Sequence, residues 1–137
     1  MTATLRIAAD KLTVSLPDRS RHTLDIGSHT LSRRHFHHLP PDETEWEYAI
    51  MTVEDSIAPL QALLPPQTDW LLDVAELRPL ALSDGLLTQT LVEQIFQRLT
   101  RYGSDPALPA SPAAYAALLI LREWLHHMHI SEIRFIP

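Results

Sequence analysis

Apolar and polar positions alternate from the start of the chain. Leu5, Ile7 and Ala9 point one way and Arg6 and Ala8 the other, and Leu12, Val14 and Leu16 repeat the period of two, as in a half-buried strand. Pro17-Asp18-Arg19-Ser20 is turn chemistry, with proline presetting φ and the Asp and Ser side chains able to bond local backbone. A third alternating run is read from His22 to Leu31 through Leu24 and Ile26, and Gly27 marks a bulge or a close backbone approach. The three runs predict an antiparallel meander.

Beyond Pro40-Pro41 the period becomes helical. Asp42 is placed to cap the first amides, with Glu45 reaching back to it. Trp46, Ile50, Val53, Ile57, Leu60 and Leu64 then recur every three or four residues. Pro59 is expected to kink or end this helix, and Pro65-Pro66 closes the segment. Asp69 to Ala75 is short and mostly apolar, which predicts a strand buried on both faces. In the next helix Leu91, Ile95, Leu99 and Tyr102 share a face with Val92 and Phe96 beside it. Thr90 and Glu93 offer a capping box, and Gly103 sits at the C′ position. Ser111-Pro112 opens a last helix, a capping serine followed by proline at the first position. Ala113 to Leu121 is apolar around the whole circumference, so this helix is expected at the centre. Ile130 to Ile136 alternates again. The predicted order is β-β-β-α-β-α-α-β, an α/β domain with a five-stranded mixed sheet flanked by helices.

The 137 residues are expected to form one domain, 1–137. A hydrophobic share of 45% with 20% charged residues excludes a disordered or fibrous chain. The absence of cysteine removes disulfides, thiolate metal sites and cysteine nucleophiles. The longest apolar run has 9 residues, against the ~20 needed to span a bilayer. No export signal is read at the N-terminus, and the expected location is the cytoplasm. The net charge of −6 argues against a nucleic-acid partner. The charge is uneven, however: residues 1–40 carry +3 and residues 42–137 carry −9. A basic front leaves room for a small anionic ligand there.

The order of elements resembles the RNase H-like domain of actin, Hsp70 and the sugar kinases. Within that group the chain is similar to the C-terminal half of the actin-like core of the exopolyphosphatase/guanosine-pentaphosphate phosphatase family. Leu24-Asp25-Ile26-Gly27-Ser28-His29-Thr30-Leu31 followed by Phe36 resembles its third strand. Leu108-Pro109-Ala110-Ser111-Pro112 resembles its entry into an Ala/Leu-rich helix, and Ile130 to Ile136 its last strand. The resemblance implies an actin-like ATPase half-domain, and it implies two glycine-rich turns that hold phosphate. The first is expected between the first two strands, where this chain has Arg6-Ile7-Ala8-Ala9-Asp10-Lys11. The second is expected after the fourth strand, where it has Val74-Ala75-Glu76-Leu77. Neither stretch contains glycine, the residue that lets backbone amides close on an oxyanion. The family's catalytic glutamate, on its N-terminal half, also has no counterpart in these residues. No catalytic residue is therefore assigned, and no cofactor is expected.

Other chemistry rests on three groups. Lys11, Arg33 and Arg34 are the candidate anion ligands. His35, His37 and His38 form one histidine cluster and His126, His127 and His129 a second; together they are candidate ligands for zinc, nickel or copper. Trp124 and Met128 on the last helix, with its apolar excess, are the candidate interface. Ser28 and His29, read as adjacent strand residues, are expected to face opposite ways and not to act as a nucleophile pair. The expected function is a non-catalytic, exopolyphosphatase-related binding or assembly module, a homo-oligomer or the partner of another protein. A polyphosphate- or nucleotide-binding protein with residual phosphatase activity and a metal-binding protein are the alternatives.

Overall fold

The computed structural model describes residues 1–82 and 84–137. Strands β1 (Thr2–Ile7), β2 (Leu12–Ser15) and β3 (Arg21–Leu24) form the expected antiparallel meander. Helices α1 (Ser28–His35) and α2 (Glu43–Ile57) follow, and α2 runs into a 3-10 segment, Ala58–Leu63. Strand β4 (Asp69–Asp73) leads through a second 3-10 segment, Ala75–Leu80, to the short strand β5 (Leu86–Thr88). Helices α3 (Gln89–Tyr102) and α4 (Pro112–His127) and strand β6 (Glu132–Phe135) complete the chain. The sheet has six strands in the order β3-β2-β1-β4-β6-β5, with β1, β4 and β6 parallel at its centre.

Three sequence expectations are corrected here. The third run is not a strand as far as Leu31: the strand ends at Leu24 and Ser28 begins a helix. Gly27 takes the N-cap, and its amide donates to the Thr30 hydroxyl at 2.8 Å, a local capping bond that the period-two pattern conceals. The sheet has six strands and not five, because the three-residue β5 is too short to show a period. Finally, β4 is buried on one face only: Trp70 and Leu72 are buried while Leu71 and Asp73 are half-exposed. The same division holds across the sheet. Leu5, Ile7, Leu12, Val14 and Phe135 turn into the helical layer, and Thr4, Arg6, Thr13 and Arg134 occupy the other face.

Helix caps follow the sequence closely. The Asp42 carboxylate accepts from the Glu45 amide at 2.8 Å, and Glu45 accepts from the Asp42 amide at 2.9 Å. Pro59 ends α2 as a regular helix, as expected. Helix α3 is capped by Thr88, whose hydroxyl accepts from the Leu91 amide, and not by Thr90. Gly103 terminates it at φ 84°, a left-handed conformation suited to glycine. Ser111 caps α4, and Ala114 to Leu121 are buried without a break. The cause is position: α1, α2 and α3 pack around α4, and its Trp124 meets Trp70 of β4.

Candidate functional site

Because β1 and β4 are parallel neighbours with Arg6 opposite Asp73, the turns that follow them lie side by side at the C-terminal ends of the central strands. These are the two turns that the sequence resemblance equates with phosphate-holding loops. Helix α1 starts at the same place. A helix N-terminus with free amides is a ready anion site, but here the amides are used. Ser28 N–H donates to the Ala8 carbonyl at 3.0 Å, and the His29 and Thr30 amides donate to the Ala9 carbonyl at 3.0 and 3.1 Å. The β1–β2 turn is itself closed by the Ala8 amide on the Lys11 carbonyl at 2.9 Å.

The second turn fills the remaining polar space with a carboxylate. Glu76 Oε1 accepts from the buried Ser28 hydroxyl at 2.7 Å, and His29 Nε2 lies 3.7 Å from the same oxygen. Glu76 Oε2 is buried with no hydrogen-bond partner among the described residues. Ser28 and His29 therefore do lie near one another, on a helix and not on a strand. Ser28 is fully buried and its hydroxyl proton is committed to Glu76. The slot is filled by the protein's own groups, and Glu76 places a carboxylate there, one oxygen of it unpaired among the described residues, where an incoming phosphate would need donors and positive charge.

The three candidate anion ligands are not brought to this point. Lys11 Nζ lies 3.1 Å from Asp25 Oδ1 in an exposed pair, an interaction of small energy in water. Arg33 and Arg34 are exposed in the last turn of α1, about 8 Å along the helix axis from its start.

The histidines also divide differently from the sequence expectation. His35 Nε2 is 2.8 Å from the Thr52 hydroxyl of α2. Burial, reinforced by the positive field of Arg34 and by His37, holds its pKa below the ordinary imidazole value. His37 gives its backbone amide to Glu45 Oε2 at 2.5 Å, and His38 Nδ1 lies 3.1 Å from Glu45 Oε1. His126 and His127 meet edge to face at 5.2 Å, and His129 sits beyond the helix in a left-handed turn. Two groups of potential metal ligands result among the described residues: His38, Asp42 and Glu45, and Glu54, Glu123 and His127. Neither group joins the two histidine clusters.

The two interface candidates lie against the core. Trp124 is fully buried, its ring edge-on to Trp70 at 5.6 Å. Met128 is partly buried and packs on the core. Tyr102, expected on the buried face of α3, is 71% exposed in its last turn, and on α2 two large apolar groups reach solvent, Tyr48 and Met51, 58% and 57% exposed. Their signal was in the sequence. Both fall between the positions of the Trp46–Ile50–Val53–Ile57 stripe, where polar residues are expected.

Glu45 carries a pH dependence. Burial raises its pKa, but the hydrogen bonds from the Asp42 and His37 amides and from His38 outweigh that and leave it below the usual carboxylate value. A lowered folded-state pKa gives stability that is fully present above the unfolded value of about 4.3 and is lost as pH falls through the folded value. Glu45→Gln is expected to cost about 1–2 kcal/mol at neutral pH and to shrink that difference below pH 4. Urea unfolding at both pH values measures it, and a cost independent of pH would contradict the role assigned to the charge.

No protein-family model matches this sequence, and no curated protein matches it significantly. The solved structures do. The chain superposes on the PPX-GPPA enzyme of Aquifex aeolicus with a TM-score of 0.80 at 14% identity, covering 98% of this chain and 52% of that one. An exopolyphosphatase from Cytophaga hutchinsonii gives 0.75 at 13% identity, again with 98% and 52% covered. An exopolyphosphatase-like protein gives 0.67 at 13%, with 98% and 55% covered. The chain thus spans about half the length of these proteins, and its six-stranded α/β fold is that of one half of a Ppx/GppA-type exopolyphosphatase.

Proposed function

We propose that this chain is a non-catalytic relative of the exopolyphosphatases that works through contact with another protein or a second copy of itself. One observation carries the reading. The amides at the start of α1 are taken by the carbonyls of Ala8 and Ala9, and Glu76 occupies the adjoining slot. To admit a phosphate there, the chain would have to break three backbone hydrogen bonds and displace a carboxylate, with no glycine in either turn to let the backbone rearrange. The surface offered for contact is the outer side of α2, where Tyr48 and Met51 lie one turn apart.

Titration calorimetry with polyphosphate and with magnesium–ATP, at low and at raised salt, tests the first half of this reading. The expected result is no saturable heat at raised salt; micromolar binding that survives it and is weakened by Lys11→Ala would overturn the reading in favour of an anion-binding protein. The second half is tested by sedimentation of the wild type and of a Tyr48→Ser/Met51→Ser double variant. If the wild type self-associates, the variant is expected to shift to monomer with its melting temperature unchanged.

A further inference from the structure

Near the C-terminal ends of α2 and α4 the chain places Glu54, Glu123 and His127 in one cluster. One ligand atom of each residue lies within 4.8 Å of those of the other two. Glu123 and His127 are one turn apart on α4, so their side chains project from the same helix face, and Glu54 reaches them from the neighbouring helix. His127 Nε2 is 3.5 Å from Glu123 Oε1 and 3.9 Å from Glu54 Oε2. The cluster is anchored on its far side, where the Gln61 amide donates to the His127 carbonyl at 3.0 Å.

Charge and burial distinguish this group from an ordinary solvated acidic face. The Glu123 side chain is only 3% exposed, and its Oε1 turns to the imidazole and to Glu54. Arg122 Nη1 serves the other oxygen, Oε2, at 2.7 Å, but the same guanidinium also holds Glu93 at 2.7 Å through Nε. Glu123 and Glu93 therefore share one guanidinium, while Glu54 has the His127 imidazole as its ion-pair neighbour, and a buried carboxylate in that position lacks a full counter-charge. Glu54 and His127 are 43% and 34% exposed, which leaves a path from solvent. The other ligand group contrasts with this one. Glu45 there is already saturated by the Asp42 and His37 amides and by His38, and its partners Asp42 and His38 are mostly exposed.

We propose that Glu54, Glu123 and His127 bind one divalent transition-metal ion, of the zinc class, through one imidazole nitrogen and two carboxylate oxygens, with the remaining positions open to water. The nitrogen–oxygen set suits zinc, and tetrahedral coordination at about 2.0–2.2 Å draws the three groups together by small side-chain adjustments. The ion balances the uncompensated carboxylate charge and ties the end of α2 to the end of α4.

Untagged protein, first treated with chelator, is titrated with zinc sulfate and assayed for metal content after dialysis. A parallel cobalt(II) titration reads ligand geometry from its visible absorption. The expected result is one ion per chain, with His127→Ala weakening binding by about 100-fold. Glu54→Gln, at a half-exposed position that leaves the core untouched, is expected to weaken it by about 10-fold or more, while His38→Ala and His129→Ala change it less than 2-fold. Binding should also weaken as pH falls, because the imidazole must be neutral to ligate. Absence of saturable binding in the wild type would overturn the proposal, as would binding unaffected by both Glu54→Gln and His127→Ala. Far-ultraviolet circular dichroism of each variant shows whether lost binding reflects lost folding; Glu54→Gln, being folded, then decides.

Discussion

Gly27→Ala is expected to reduce the folding free energy by about 3–5 kcal/mol, among the largest effects of any single methyl group added to this chain. A Cβ at position 27 would stand 2.5 Å from the Ala8 carbonyl oxygen and closer still to that of Ala9. Both are backbone atoms, so no flexible side chain can yield. Relief requires moving α1 away from the β1–β2 turn, which stretches the three amide bonds from Ser28, His29 and Thr30. Each is worth about 0.5–1.5 kcal/mol net, and more when its donor is left buried without a partner. Gly85→Ala supplies the control. That glycine has φ 71° with its nearest neighbours at 3.8 Å, so the cost there is conformational only, about 1–2 kcal/mol. Urea denaturation of both variants separates the two mechanisms. A Gly27→Ala cost no larger than that of Gly85→Ala would show that α1 and the turn part easily, and would reopen the start of α1 as an anion site.

The same position shows where the sequence was readable and where it was not. A close backbone approach at Gly27 was legible, because a lone glycine among alternating residues has few other uses. What approaches it was not, since the partners Ala8 and Ala9 are brought there by the meander, a long-range event with no local signature. The helix at Ser28–His35 was concealed for a related reason. Leu24, Ile26 and Leu31 fit a strand as well as a helix over so short a stretch, and the contacts that decide it come from α4. Caps fared better. Asp42, Gly103 and Ser111 act through atoms within four residues, and their roles in the structure are those read from the sequence. Thr90 was displaced by Thr88 because strand β5 ends at Thr88 and hands the chain directly to the helix. The site followed the same division. That the two turns lacked glycine was plain from the sequence, whereas Glu76 as the group filling the space, and Glu54 as a neighbour of His127, depend on packing between distant elements.

Trp124→Ala is the second large effect, an expected loss of about 3–5 kcal/mol. The indole was offered by the sequence as an interface anchor, but in the fold it is wholly buried between α4 and β4, edge-on to Trp70. Its Nε1 is buried with no hydrogen-bond partner among the described residues, and so is that of Trp46. Trp124 therefore stabilises through area and ring contact rather than through a polar bond. This makes the replacement series informative. Trp124→Phe keeps an aromatic ring and removes an unpaired N–H, so it is expected to cost about 1–2 kcal/mol, well under half of the alanine value. A hidden hydrogen bond would reverse that order of reasoning: phenylalanine would then cost nearly as much as alanine. Self-association gives an independent reading. If Trp124 were an interface residue after all, the alanine variant would dissociate an oligomer while its melting temperature stayed near that of the wild type. The buried position predicts the opposite, a melting temperature lowered by roughly 10 °C or more at every protein concentration.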